Sequence, residues 1–157
     1  MNTPIIGSSQ ALSGEWSFKV LDGATRNVVR EHEAFKNLVL DIGLDRMGSG
    51  NTLFQFCRIG TGTAAATASD TDLQSQSAST SNEISTSSAN AGAPNYESTT
   101  TTVFEFALGA VVGNMAEIGA GWLTSGANGL FSRARINDAG GSPTTITVLA
   151  TDRKSVV

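Results

Sequence analysis

The 157-residue sequence predicts an all-β protein, an antiparallel β-sandwich of seven or eight short strands with one short helix; a jelly roll is one form of that class. Three observations predict it. Apolar residues recur with a period of two in several separate segments, as strands with one buried face require. Turn-forming groups, among them Asp22-Gly23, Gly113-Asn114 and the cluster at 138–143, divide those segments. The final patterned segment, 144–150, is rich in β-branched residues.

In chain order, residues 1–13 are small and polar around Ile5-Ile6 and read as a flexible arm, with residues 14–157 as a single sandwich domain. Trp16, Phe18 and Val20 alternate with Glu15, Ser17 and Lys19 in a first strand over 15–21. After Asp22-Gly23, residues 26–35 form the returning strand, with Val28-Val29 as its apolar part. Asn37 is placed to cap a short helix whose buried face is Leu40, Leu44 and Met47, at i, i+4 and i+7, and which Gly48 and Gly50 end. Residues 53–59 read as a strand running into Gly60-Thr61-Gly62-Thr63.

The composition then changes. Residues 61–102 hold 19 Ser or Thr and 8 Ala among 42 residues, with no Lys or Arg. So few large apolar groups cannot offset the ordering entropy of the segment by themselves. The tract is expected to be a long loop, or an arm that pairs with other subunits, with one helical turn at 70–73. Period two returns at Thr100, Thr102, Phe104, Phe106 and Leu108, and again at Ala116, Ile118, Ala120 and Trp122. Strands at 130–136, with Phe131, Arg133 and Arg135 on one face, and at 144–150 complete the pattern.

Composition narrows the function. Charged residues make up 15% of the chain, against roughly 25% in average globular proteins. A surface of small polar groups is easier to bury against a neighbour than a charged one. The net charge is −4 and no Lys/Arg cluster exists; the closest basic pairs are Arg133 with Arg135 and Arg153 with Lys154. No nucleic-acid partner is therefore expected. No apolar run approaches the length of a membrane span, and the first residues lack the basic and apolar regions of a signal peptide, so no membrane insertion is expected either. The single Cys57 excludes an internal disulfide framework and fits assembly in a reducing cytosol.

No residue type forms a recognisable catalytic, cofactor or metal motif, and none is assigned. His32, the only histidine, sits in Glu31-His32-Glu33 without a Cys or His nearby, and reads as a solvated or hydrogen-bonded strand residue. Cys57 has only His32 as a conceivable base and reads as a core residue. Gly60-Thr61-Gly62 lacks the third glycine and packing helix of a dinucleotide fingerprint; a turn needing positive φ explains it better. Asp70 and Asp72 lack the rest of a calcium loop and read as capping groups. Asp41 and Asp45 look like a solvated helix face. The Ser/Thr tract contains no Gly-x-Ser-x-Gly elbow. Trp16 and Trp122 lie on alternating apolar faces and are expected in the core. Were the chain a glycan hydrolase, its paired acids would be Glu105 and Glu117 on neighbouring strands; a carbohydrate-binding module would need only exposed aromatics and Asn/Asp loops.

Several segments, taken together, carry a family likeness. They are Phe35-Lys36-Asn37-Leu38-Val39-Leu40-Asp41-Ile42-Gly43-Leu44-Asp45-Arg46-Met47-Gly48, Arg58-Ile59-Gly60-Thr61-Gly62-Thr63, Ser69-Asp70-Thr71-Asp72-Leu73, Gly113-Asn114-Met115-Ala116-Glu117-Ile118-Gly119, Leu130-Phe131-Ser132-Arg133-Ala134 and Pro143-Thr144-Thr145-Ile146-Thr147-Val148-Leu149. Their order resembles that of small tail, tail-fibre and related virion proteins of tailed bacteriophages, across residues 14–150. The resemblance implies a particle component assembled in the host bacterial cytoplasm. Such a subunit would be a homo-oligomer, expected as a trimer, contacting other virion proteins and a host surface receptor. It transfers no catalytic residues. A long receptor-binding fibre would continue past residue 150, so the resemblance implies a short fibre or a fibre adaptor, with a capsid decoration protein as the alternative.

Overall fold

Trp16, Phe18 and Val20 enter the core from β1 (Glu15–Asp22), the first strand of a computed structural model that describes residues 11–94 and 96–156. The Ile5-Ile6 arm lies outside the described residues. The carboxylate of Asp22 then folds the turn, accepting hydrogen bonds from the Thr25 N–H (2.7 Å), the Thr25 hydroxyl (2.8 Å) and the Ala24 N–H (3.1 Å). Arg26 takes a positive φ of 61° where the chain reverses. The return strand β2 (Val28–Lys36) pairs antiparallel with β1, Trp16 opposite Phe35 and Val20 opposite Arg30. Its buried residue is Phe35, not the expected Val28-Val29, which are 52% and 51% exposed. Those valines open β2, the edge strand of its sheet.

After β3 (Leu38–Val39) comes α1 (Asp41–Met47). Leu40, not Asn37, occupies the N-cap position, and no side chain caps it. Leu40 is fully buried, but Leu44 and Met47 are 48% and 44% exposed. The expected Leu40–Leu44–Met47 face is therefore not the packing face. The helix docks through Gly43: a Cβ there would stand 2.9 Å from Phe131 Cα, so only a bare backbone fits against the strand beneath. The Leu40 N–H to Phe131 carbonyl bond (2.9 Å) fixes the approach.

The strands β4 (Phe56–Gly60) and β5 (Gln76–Thr80) bracket an irregular segment at 61–75. The long hairpin of β6 (Glu83–Ala91) and β7 (Glu97–Phe106) follows. The small-residue tract therefore divides. Residues 61–75 form a loop, with turns and bends rather than a helical turn at 70–73; most of the remainder is strand. Thr and Ser side chains pair across neighbouring strands there, a stabilisation independent of apolar burial. The chain closes with β8 (Gly113–Met115), β9 (Glu117–Gly121), β10 (Leu130–Arg135), β11 (Ile146–Val148) and β12 (Asp152–Val156).

The fold is all-β and sandwich-like. One five-stranded sheet runs β2-β1-β12-β7-β6, the other β3-β10-β9-β4-β5, and β11 pairs with β8 in a small third sheet; every pairing is antiparallel. Trp16, Phe18, Val20, Phe35, Phe104 and Phe106 from the first sheet meet Cys57, Ile59, Ile118, Ala120 and Ala134 from the second; Met115, Ile146 and Val148 come from the third. Leu108, expected on the Phe104/Phe106 face, lies past the end of β7 and is 48% exposed.

Candidate functional site

Because side chains alternate along a strand, the residues between the core positions of β4, β9 and β10 point away from the first sheet. They are Arg58, Glu117, Gly119 and Arg133, and all are buried. Their cover is the loop at 61–75. Glu117 Oε1 accepts hydrogen bonds from the N–H groups of Gly62 (3.0 Å) and Ser75 (2.6 Å), while Oε2 accepts from the Gln74 N–H (2.9 Å) and from Arg133 Nε (3.0 Å) and Nη2 (2.9 Å). Arg133 Nη1 donates to Asp70 Oδ2 (2.5 Å), and its Nη1 and Nη2 reach the Ala65 and Ala64 carbonyls at 3.4 and 3.2 Å. Arg58 donates from Nε to Gln76 Oε1 (2.5 Å), from Nη1 to the Gly126 carbonyl (3.3 Å) and from Nη2 to Asp72.

Two arginines rooted in the sheet thus hold Asp70 and Asp72, and one glutamate holds three backbone N–H groups of the same loop. The aspartates that read as capping groups neutralise buried guanidinium groups instead. Partial burial raises the Asp70 carboxyl pKa, but hydrogen bonds from the Thr67 N–H and hydroxyl, with the Arg133 guanidinium, outweigh burial and hold it below the ordinary value. Gly60 and Gly62 are not positive-φ turn residues. They leave room for Glu117: a Cβ on Gly60 would stand 2.8 Å from Oε1, and one on Gly62 closer still. Leu73 closes the clamp beside Leu40, Leu130 and Ile42, an apolar cluster on the outer side of the sheet.

The other flagged residues are dispersed. Glu105 and Glu117 do not lie on neighbouring strands; β7 and β9 belong to different five-stranded sheets. Glu105 pairs with Arg26 at 2.6 Å. Cys57 is fully buried in the core, where desolvation pushes its thiol pKa up. His32 is half-buried, its Nδ1 2.9 Å from the Glu33 carbonyl and its ring edge-on to Phe18 and Phe35. Asp41 and Asp45 are exposed. Trp16 is in the core; Trp122, expected there too, is only half-buried, with the Arg46 guanidinium 4.4 Å above its ring.

Two open grooves of about 300 and 370 Å³ mark the surface, the first beside Lys36, Asn37, Arg133 and Arg135, the second beside Arg30, His32 and Ile146. Among the described residues no cluster of three or more His, Cys, Asp or Glu is placed to hold a metal ion, and no helix is long and apolar enough to cross a membrane.

The remaining feature is the β6–β7 ribbon. Every residue of β6 is exposed, as are residues 97–101 of β7, so both faces of the ribbon meet solvent. β6 is also the edge of its sheet. Hydroxyls pair across the ribbon, Thr86 with Thr102 and Ser88 with Thr100, each at 3.1 Å. Near the tip, Tyr96 is 86% exposed. Sequence reasoning missed both anchor arginines and the hairpin. A polar residue between apolar ones, as in Cys57-Arg58-Ile59 and Ser132-Arg133-Ala134, was the available signal for the anchors; the Thr run at 99–102 was the signal for the hairpin.

No protein-family model, curated protein or solved structure matches the chain.

Proposed function

We propose that this chain is a non-enzymatic structural subunit of a tailed-bacteriophage particle, a tail-associated fibre or fibre-adaptor component that contributes to particle assembly and host attachment. The observation that carries the structural role is the β6–β7 ribbon: a protein working alone gains little from about 17 Å of two-stranded arm exposed on both faces. An assembly subunit gains an element that orders against neighbours, where high effective concentration offsets the entropy of ordering. The placement in a phage particle rests on the resemblance of residues 14–150 to small virion proteins.

The acids support the non-enzymatic reading. Glu117, Glu105, Asp70 and Asp72 each meet a guanidinium, and Glu117 has five donors on its two oxygens. Groups so engaged clamp the fold rather than exchange protons with a substrate. The subunit is expected to be a homo-oligomer, as a trimer, with other virion proteins and a host receptor as further partners.

The test is the copy number of the chain in purified particles, measured by quantitative mass spectrometry against the major capsid protein. A number matching tail symmetry is the expected result. Hundreds of copies would make it a capsid decoration protein, and absence from the particle would overturn the virion reading.

A further inference from the structure

An unpaired strand edge is a row of backbone donors and acceptors, and proteins guard such edges with charges, proline or short length. The two edges of the first sheet are treated differently. β2 carries Arg30, Glu31, Glu33 and Lys36 along its length. β6, equally long, carries one charge, Glu83 at its first position, and no Lys, Arg or Pro; its one bulge lies at that same end, between Glu83 and Ser85, and leaves residues 85–91 regular. Its other residues are small or hydroxylated apart from Ile84 and Asn90, so another backbone can approach closely.

We propose that the β6 edge is an interface between two copies of this chain, pairing antiparallel with β6 of the second copy about a twofold axis at Ser87. In that register Ser87 faces its own mate, Thr86 faces the mate's Ser88 and Ser85 faces the mate's Ala89; the bulge between Glu83 and Ser85 ends the regular pairing beyond that. Three properties select it. The two Glu83 carboxylates fall at opposite ends, about 27 Å apart, beyond the screening length at physiological salt. The alternation of faces is preserved over residues 85–89, where β6 is regular; its one register shift lies between Glu83 and Ser85. The hydroxyl pairs already made within the ribbon, Thr86 with Thr102 and Ser88 with Thr100, become one ladder running Thr102–Thr86–Ser88–Thr100 across both copies.

The contact is self-complementary and closes after two copies, because the twofold pairing uses the β6 edge of both. If the subunit is a trimer, the contact joins one trimer to another rather than building the trimer. The inference goes beyond the virion reading and stands on the ribbon's own sequence and geometry.

Cysteine cross-linking of the full chain tests it. Cys57 is fully buried, so an introduced thiol on β6 is the accessible one. In Ser87→Cys the two thiols lie directly opposite, with Cα atoms about 4.5–5.5 Å apart, within the range a disulfide spans. In Asn90→Cys they lie about 20 Å apart and cannot join. Mild oxidation at low protein concentration should give a covalent dimer with Ser87→Cys, several-fold more than with Asn90→Cys, and Ser85→Cys combined with Ala89→Cys should cross-link doubly. Light scattering of the unmodified protein should give a mass that Ser87→Pro halves, with its circular dichroism otherwise retained. Equal cross-linking at 87 and 90 would overturn the register; a monomer mass with no cross-link at either position would overturn the interface. Either result leaves the particle copy number to be decided by its own measurement.

Discussion

Glu117 links β9 to β10 through Arg133 and to three N–H groups of the 61–75 loop. Removing one partner of a buried ion pair leaves an uncompensated charge, which costs about 3–5 kcal/mol. Arg133→Met should lose stability of that order in urea unfolding. Glu117→Leu combined with Arg133→Met should lose less than the sum of the single changes, because the two act on one interaction. Asp70 adds a pH dependence of definite sign. Its folded-state pKa is depressed, so its contribution is present above the ordinary value of 3.8 and is lost as pH falls below that value through the folded one. Asp70→Asn should flatten the acid limb of the stability curve in that window and leave its neutral-to-basic shape alone, measured as melting temperature against pH. The sequence displays the aspartates, but their roles were not legible, because Arg58 and Arg133 reach them from strands 14 and 63 residues distant. Gly60 and Gly62 were legible as special positions, but the reason, a carboxylate 55 residues away pressed against Gly62, was not.

Among the elements, strands with one face in the core were legible, since β1 buries Trp16, Phe18 and Val20 as the period of two requires, while the end of β7 also buries Glu105 between Phe104 and Phe106. β9 is buried on both faces, so its alternation of Ala and Ile with Gly and Glu marked two kinds of packing rather than inside and outside. Hydropathy gave the helix its existence but the wrong contact, because the docking residue Gly43 carries no hydropathy signal. The close approach of Gly43 to Phe131 predicts a cost for any Cβ. Gly43→Ala should destabilise the protein by about 1–3 kcal/mol although alanine is the better helix former. An equal exchange at the exposed Gly48, whose added Cβ would meet only the Asp45 carbonyl at 3.5 Å, is the control in the same unfolding experiment.

At the scale of the whole molecule, the order of strands makes folding depend on the two most distant parts of the described chain. β12 sits between β1 and β7, with Phe18 opposite Val156 on one side and Lys154 opposite Phe106 on the other. Sequence patterning placed the last strand at 144–150, because the segment after it opens with Thr-Asp-Arg-Lys and has no apolar alternation; a strand enclosed by two neighbours draws its stability from ladder hydrogen bonds that leave no mark in the sequence. Asp152 anchors its start, buried and paired with Arg30 at 3.1 Å, and accepts the Leu149 N–H at 3.0 Å. Without β12 the first sheet would separate into a β1–β2 hairpin and a β6–β7 hairpin, each marginal by itself in water. Deleting residues 152–157 should therefore abolish cooperative unfolding and expose the Trp16 face, whereas deleting the ribbon tip at 90–97 and joining its strands with a short turn should leave the melting transition in place. Near-ultraviolet circular dichroism and calorimetry of the two variants separate the outcomes: a cooperative transition in the first would mean that β1 and β7 are held together through the opposite sheet alone.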